Sequence, residues 1–401
     1  MERTKLINFC DKTALFSLYG VAYFLPISKA IIEILIYLSI AAFLVKKILQ
    51  RQFLPKTKIN LAVFSYIIIC FFSIFISSNP KISTRAFLGK VLQDLTFFFV
   101  VIDVLNSQRR LKNVLYIIFA SSFLLGIDGI YQHFMHKEFI RNRPYELPRV
   151  HATFSTGNDF GCYLITIMPF TVVCFFDKFN FRKLFRFLFL GLFILLFTCL
   201  MLTVSRGAWF GFIASLLFVS IWIKAMGLFF LVLGIFIIAT HQFYAPLLKD
   251  RLANFFVFSD NSSVDRNMIW EIAGRMFMRR PLIGLGLGTF MFNFSKFAAG
   301  GYPYSIPYAH NCYLQIAAEI GIFGLVSFLS ILILFFSYGI DLIVTRQKTF
   351  FWYVLLASLA AILAYSIQMT VDTSLYSLDL GALFWFTLGL GVAAMKGIET
   401  E

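Results

Sequence analysis

The chain has 401 residues, 60% of them hydrophobic and 14% charged, against about 45–50% and about 25% in ordinary soluble domains. Twelve membrane helices of about 20 residues each would use about 240 residues, about 60% of the chain, so a soluble enzyme, a disordered chain and a single-anchor protein are excluded. Thirty-five Lys and Arg against 20 Asp and Glu give +15, which in a membrane protein points to anionic headgroups or phosphorylated substrates sooner than to nucleic acid.

In chain order, apolar runs bounded by charge predict spans at 13–28, 30–45, 60–77, 91–105, 112–132, 159–176, 185–203, 208–223, 226–242, 312–338, 351–370 and 379–395. The fold class is therefore an all-α polytopic membrane protein, and 1–401 reads as a single integral membrane domain without a tandem repeat or low-complexity linker. Two polar interruptions stand out, a short one at 133–157 and a long one at 243–311 between the ninth and tenth spans. The six cysteines form no CxxC pair and no zinc spacing, so they read as small buried hydrophobes. With the N-terminus in the cytoplasm, more than half of the 35 basic residues fall on inner segments that are roughly half as long as the outer ones. Both termini are then cytoplasmic and both interruptions face outward.

The outward segments nevertheless hold basic clusters: Arg141, Arg143 and Arg149 in one, Arg206 at a helix junction, and Arg251, Arg266, Arg275, Arg279 and Arg280 in the long loop. In TVSRGAW, 203–209, Arg206 ends one apolar run as Gly207 and Ala208 begin the next. Such an arginine either snorkels to headgroups or holds phosphate oxygens in its guanidinium fork. In the long loop, Ile269, Ile272, Ala273, Met276 and Phe277 recur at helical spacing until Pro281. That pattern predicts an amphipathic interfacial helix with Arg266 near its start. Gly284, Gly286 and Gly288 follow without the strand or spacing of a dinucleotide fold, and predict a tight turn re-entering the membrane edge.

His310 opens the tenth span in YAHNCYLQIAAEIGIFGL, with Tyr308 and Asn311 beside it and Glu319 further inside. Neutral His is a suitable base for a hydroxyl near pH 7, although a lone histidine at a helix start is also a common structural feature. RVHATFSTGNDFG, 149–161, leads into the sixth span, and Asn158 suits a helix cap. Asp372 is the carboxylate of the short outer loop before the last span, placed either to orient a histidine or to face water. No Walker loop, HExxH or Asp-x-Asp is present, so no metal or cofactor is expected.

Taken in order, TFSTGNDFG at 153–161, SRGAW at 205–209, Arg266 with Trp270, PLIGLGLGTF at 281–290 and AHNCYLQIAAEIGIFG at 309–324 resemble the bacterial O-antigen ligase and polymerase family. The resemblance implies a GT-C-type membrane glycosyltransferase of the inner membrane whose 243–311 loop and active site face the periplasm. Its donor would be a glycan on undecaprenyl pyrophosphate, and a ligase would use the lipid A core as acceptor. By the family pattern His310, Arg206 and Arg266 are the catalytic residues. Arg149, Asn158, Trp270, Tyr308, Asn311, Glu319 and Asp372 are expected to bind substrate. Within the family a polymerase would use a second lipid-linked repeat, and a protein O-glycosylase a Ser or Thr side chain. The compact length favours the ligase. A lipid-linked oligosaccharide transporter shares the composition, but should place its charges near the bilayer midplane in paired repeats.

Overall fold

The computed structural model describes residues 2–52, 54–142, 149–177, 181–253, 261–298 and 308–401, with side chains described outside 241–253 and 261–265. Arg143 and parts of the 243–311 loop lie outside the described residues, as does the side chain of Arg251. The helices are α1 (Glu2–Phe24), α2 (Lys29–Gln50), α3 (Asn60–Phe75), α4 (Pro80–Ala86), α5 (Gln93–Val104), α6 (Gln108–Met135), α7 (Gly157–Phe176) and α8 (Lys183–Leu202). They continue with α9 (Arg206–Ile223), α10 (Met226–Ala253), α11 (Asn261–Arg279), α12 (Phe290–Phe297), α13 (Cys312–Thr345), α14 (Phe350–Gln368) and α15 (Leu378–Thr400). No strand occurs among the described residues.

Every apolar run read from the sequence falls on a helix. Among the described residues, seven of these helices are long and apolar enough to cross a membrane: α6, α7, α8, α9, α13, α14 and α15. This is a polytopic membrane protein. The other runs depart from the expected spans in different ways. In α1 the apolar stretch begins only after Asp11 and Lys12, and a π turn, Phe87–Leu92, joins α4 to α5 in the fourth run. Helix α10 continues to Ala253, past the expected end at 242. The protein interior is built on α7, α14 and α15. The apolar window of α15 is 94% buried, whereas that of α8 is 39% buried, so α8 turns most of its surface outward.

Ion pairs sort the bundle into two ends. At one, Lys46 bonds Asp11 at 2.6 Å and Asp103 at 2.8 Å, Lys47 bonds Asp103 at 2.6 Å, and Arg110 bonds Asp11, tying α1, α2, α5 and α6 together. Lys58 and Glu399, 3.3 Å apart, join the start of α3 to the end of α15. At the other end Lys29 pairs with Asp379 at 3.3 Å, Arg141 donates to the Ile27 carbonyl and Thr153 to that of Pro26. The candidate residues gather at this second end, with Glu319 two turns inside α13.

Candidate functional site

The site rests on a broken helix. Within α13, Gly321 adopts φ 69° and ψ −169°, a conformation open essentially to glycine alone. The break releases the carbonyls of Ala318 and Glu319 from the helical ladder. Backbone N–H groups of Leu285 and Gly286 donate to them at 3.1 and 2.7 Å, and Ile322 N–H donates to the Pro281 carbonyl at 2.8 Å. The two backbones cross so closely that a Cβ on Gly284 would lie 2.4 Å from the Glu319 carbonyl, and one on Gly321 2.4 Å from that of Leu282. The glycine-rich segment does turn sharply, but its work is to splint α13 by satisfying backbone groups that a membrane interior would otherwise leave unpaired.

The splint recruits Glu319. Its buried carboxylate accepts from Gly288 N–H at 2.8 Å, Phe290 N–H at 3.2 Å, Gln315 Nε2 at 3.2 Å and the Tyr376 hydroxyl at 3.2 Å. These four donors come from the glycine segment, α12, α13 and the turn before α15, so Glu319 ties the floor of the site together.

Above it, Asn311 caps α13, accepting from Leu314 N–H at 3.0 Å, and its Nδ2 donates to the Thr370 carbonyl at 2.9 Å. Cys312 N–H donates to Met369 at 2.9 Å, and Ala309 N–H to the Gln315 side chain at 2.9 Å. These bonds fasten the start of α13 to the 369–377 loop and hold His310 in the left-handed region at φ 50°. His310 Nδ1 lies 3.7 Å from Asp372 Oδ1, ion-pair range though longer than a hydrogen bond. Burial alone would raise the Asp372 pKa, but His310, the Thr373 N–H at 2.8 Å and the charge of Arg266 outweigh it and hold the carboxyl below its ordinary range.

Arg206 is the first residue of α9, after Ser205. A Cβ on its neighbour Gly207 would lie 2.4 Å from both Gln368 and Val371, so the start of α9 presses directly on the loop that carries Asp372. Arg266 is half-buried on α11. Burial lowers its pKa, Asp372 raises it and the charge of Arg206 lowers it. An arginine stays protonated at neutral pH regardless; burial is the main cause of the shift, with Asp372 and Arg206 as the nearby charges. The predicted periodicity of α11 holds at four of its five positions: Ile269, Ile272, Ala273 and Met276 are buried against Leu285, Phe290, Phe294 and Ala309, while Phe277 is only half-buried. Trp270, one turn beyond Arg266, keeps a buried Nε1 without a hydrogen-bond partner among the described residues.

Other candidates are tied more closely to the protein itself. Arg149 donates from Nε to the Thr203 carbonyl at 2.8 Å and from Nη2 to Asn158 Oδ1 at 2.6 Å, bracing the turn between α8 and α9. The cap of α7 is Thr156, which accepts from Asp159 N–H at 3.1 Å, and not Asn158. Tyr308 stands 6.1 Å from Tyr376, and Lys90 lies over both rings at 5.9 and 5.3 Å while donating to the Tyr376 carbonyl at 2.9 Å. Lys90, Tyr376 and Gln368 escaped the sequence reading. A lone lysine at the edge of an apolar run was the available signal for the first. The arginines of the long loop divide as well: Arg275 bonds Glu271 and the Phe297 carbonyl, and Arg280 the Ile76 carbonyl.

Residues 191–329 match the family described as O-antigen ligase, which bears out the expected resemblance over that stretch. The matched segment holds Arg206, Arg266, Trp270, His310 and Glu319; Arg149, Asn158 and Asp372 lie outside it. No curated protein matches the chain.

Proposed function

Taking the O-antigen ligase match of residues 191–329 as premise, we propose that this protein transfers a glycan from undecaprenyl pyrophosphate to the lipid A core oligosaccharide, at the periplasmic face of the inner membrane. The observation that carries the reading is the gathering at one end of a membrane bundle of the His310–Asp372 pair, 3.7 Å apart, with Arg206 at the start of α9, packed on the loop that holds Asp372, and Arg266 on α11. Such a site favours a dianion beside a base. A diphosphate supplies the dianion, and an acceptor hydroxyl gives the base its task. By the distribution of basic residues, the end holding Lys46, Lys47 and Arg110 is cytoplasmic and the His310 end periplasmic.

The acceptor oxygen attacks the anomeric carbon as the bond from that carbon to the diphosphate oxygen breaks. The electron pair leaves with undecaprenyl diphosphate, and the anomeric configuration inverts. With Asp372 facing Nδ1, His310 presents Nε2 to take the hydroxyl proton. Arg206 and Arg266 stabilise the charge growing on the leaving group, which needs neither metal nor nucleotide. The indole N–H of Trp270 is available to a diphosphate or sugar oxygen. Glu319, Asn311, Arg149 and Asn158 position the elements, while Tyr308 and Lys90 border the mouth.

Purified protein given the lipid-linked donor with lipid A core, beside a tube without acceptor, tests the reading; chelator is expected to leave the rate unchanged. Glycan-modified lipid A core supports it. Longer lipid-linked chains without added acceptor would make the protein a polymerase. Donor moved between leaflets without transfer would make it a transporter.

A further inference from the structure

A cavity of about 240 Å³ opens at the end opposite His310, between the start of α3 and the ends of α13 and α15. Three lysines line it, Lys56, Lys58 and Lys396, against one carboxylate, Glu399. Lys58 is committed: it pairs with Glu399 at 3.3 Å and lies 5.0 Å over the ring of Tyr338. Lys56 and Lys396 are exposed and have no ionic partner among the described residues. Apart from Thr57 the remaining wall is apolar or aromatic, with Leu342 and Val392 buried behind Tyr338.

Two of the three helices that frame the opening, α3 and α13, carry exposed apolar side chains nearby. Leu61 on α3 is 79% exposed, and Ile333 and Val344 on α13 are 61% and 62% exposed. The cavity thus joins an excess of fixed positive charge to an apolar wall, at helix ends where headgroups meet hydrocarbon. A basic pocket between membrane helices selects an anionic phosphate headgroup, with its acyl chains lying along the neighbouring helix surface.

We infer that this cavity binds an anionic phospholipid, its phosphate held by Lys56 and Lys396 and its chains running along α3 and α13. Lys58, held by Glu399, sets the back wall. The site is separate from the proposed transfer chemistry and rests only on the protein's being a multi-pass membrane protein.

The test measures lipid retained by the full chain in detergent, using native mass spectrometry with dioleoyl phosphatidylglycerol, dioleoyl phosphatidylcholine or inorganic phosphate as probe. The wild type should retain phosphatidylglycerol at least about fivefold better than phosphatidylcholine, the factor that one membrane-proximal lysine contributes. The double variant Lys56→Gln/Lys396→Gln should fall to the phosphatidylcholine level with an unchanged elution volume. Glu399→Gln, which releases Lys58, should bind the anionic lipid more tightly, a gain that a merely structural role for the pair does not give. Equal retention of the two lipids, or an undiminished preference in the double variant, would overturn the assignment. Displacement of the lipid by inorganic phosphate would overturn it too, in favour of a soluble phosphate compound.

Discussion

Under the proposed reaction a lysine does not replace Arg206 or Arg266, because a planar fork holds two phosphate oxygens where an ammonium holds a point. Arg206→Ala should lower transfer by about 10²–10³-fold, the loss seen when one oxyanion donor is removed. Arg206→Lys should remain well below wild type, and full turnover by that variant in a steady-state assay would remove the bidentate role. Asp372 yields a pH prediction. Its folded pKa is depressed below the ordinary 3.8, so its stabilisation is complete above that value and is lost as pH falls through the depressed one. The thermal stability gap between wild type and Asp372→Asn should therefore stay constant from neutral pH to about pH 5 and close only in stronger acid. A gap that persists undiminished in strong acid would contradict the depressed carboxylate. His310 and the two arginines were legible as residues in the sequence. Their partner Asp372 was legible only as one of two options, because its closeness to His310 depends on Asn311 and Cys312 bonding the 369–372 loop.

Helix α13 and the 281–288 segment work as one element although they are separated by the 299–307 stretch. Gly321→Ala would place a Cβ 2.4 Å from the Leu282 backbone in a glycine-only conformation. It should cost about 1–3 kcal/mol from the backbone conformation alone, with more from the clash, read as a lower melting temperature. Activity should fall with it, since the break positions Glu319 below His310. A variant of unchanged melting temperature would show that the break is not needed for the fold. Local signals served well where they were periodic, as in α11, whose buried Ile269, Ile272, Ala273 and Met276 follow the predicted stripe. They failed where pairing is distant. The glycines at 284, 286 and 288 announced turns, but nothing near them announced that their backbone would pair with a helix break more than 30 residues later. The cap of α7 was misplaced for a smaller reason: Thr156, three residues before Asp159, carried the stronger capping pattern.

On the scale of the molecule, the sequence places one set of charges at each end, and the ion pairs agree. Lys46, Lys47 and Arg110 are bound into a carboxylate network at one end, while His310 and Arg266 face Asp372 at the other, where Arg206 opens α9. Neutralising the first set with internal acids fastens the helices, whereas the second end sets cationic side chains against the single carboxylate of the 369–377 loop. That difference is why the second end is read as the site of chemistry. The most direct test is glycan transfer in proteoliposomes from the undecaprenyl-pyrophosphate donor to lipid A core, comparing wild type with His310→Ala at saturating donor. The account predicts a wild-type product and a rate lower by about 10²–10⁴ in the variant, with donor retention nearly unchanged. Equal rates in the two proteins would contradict it.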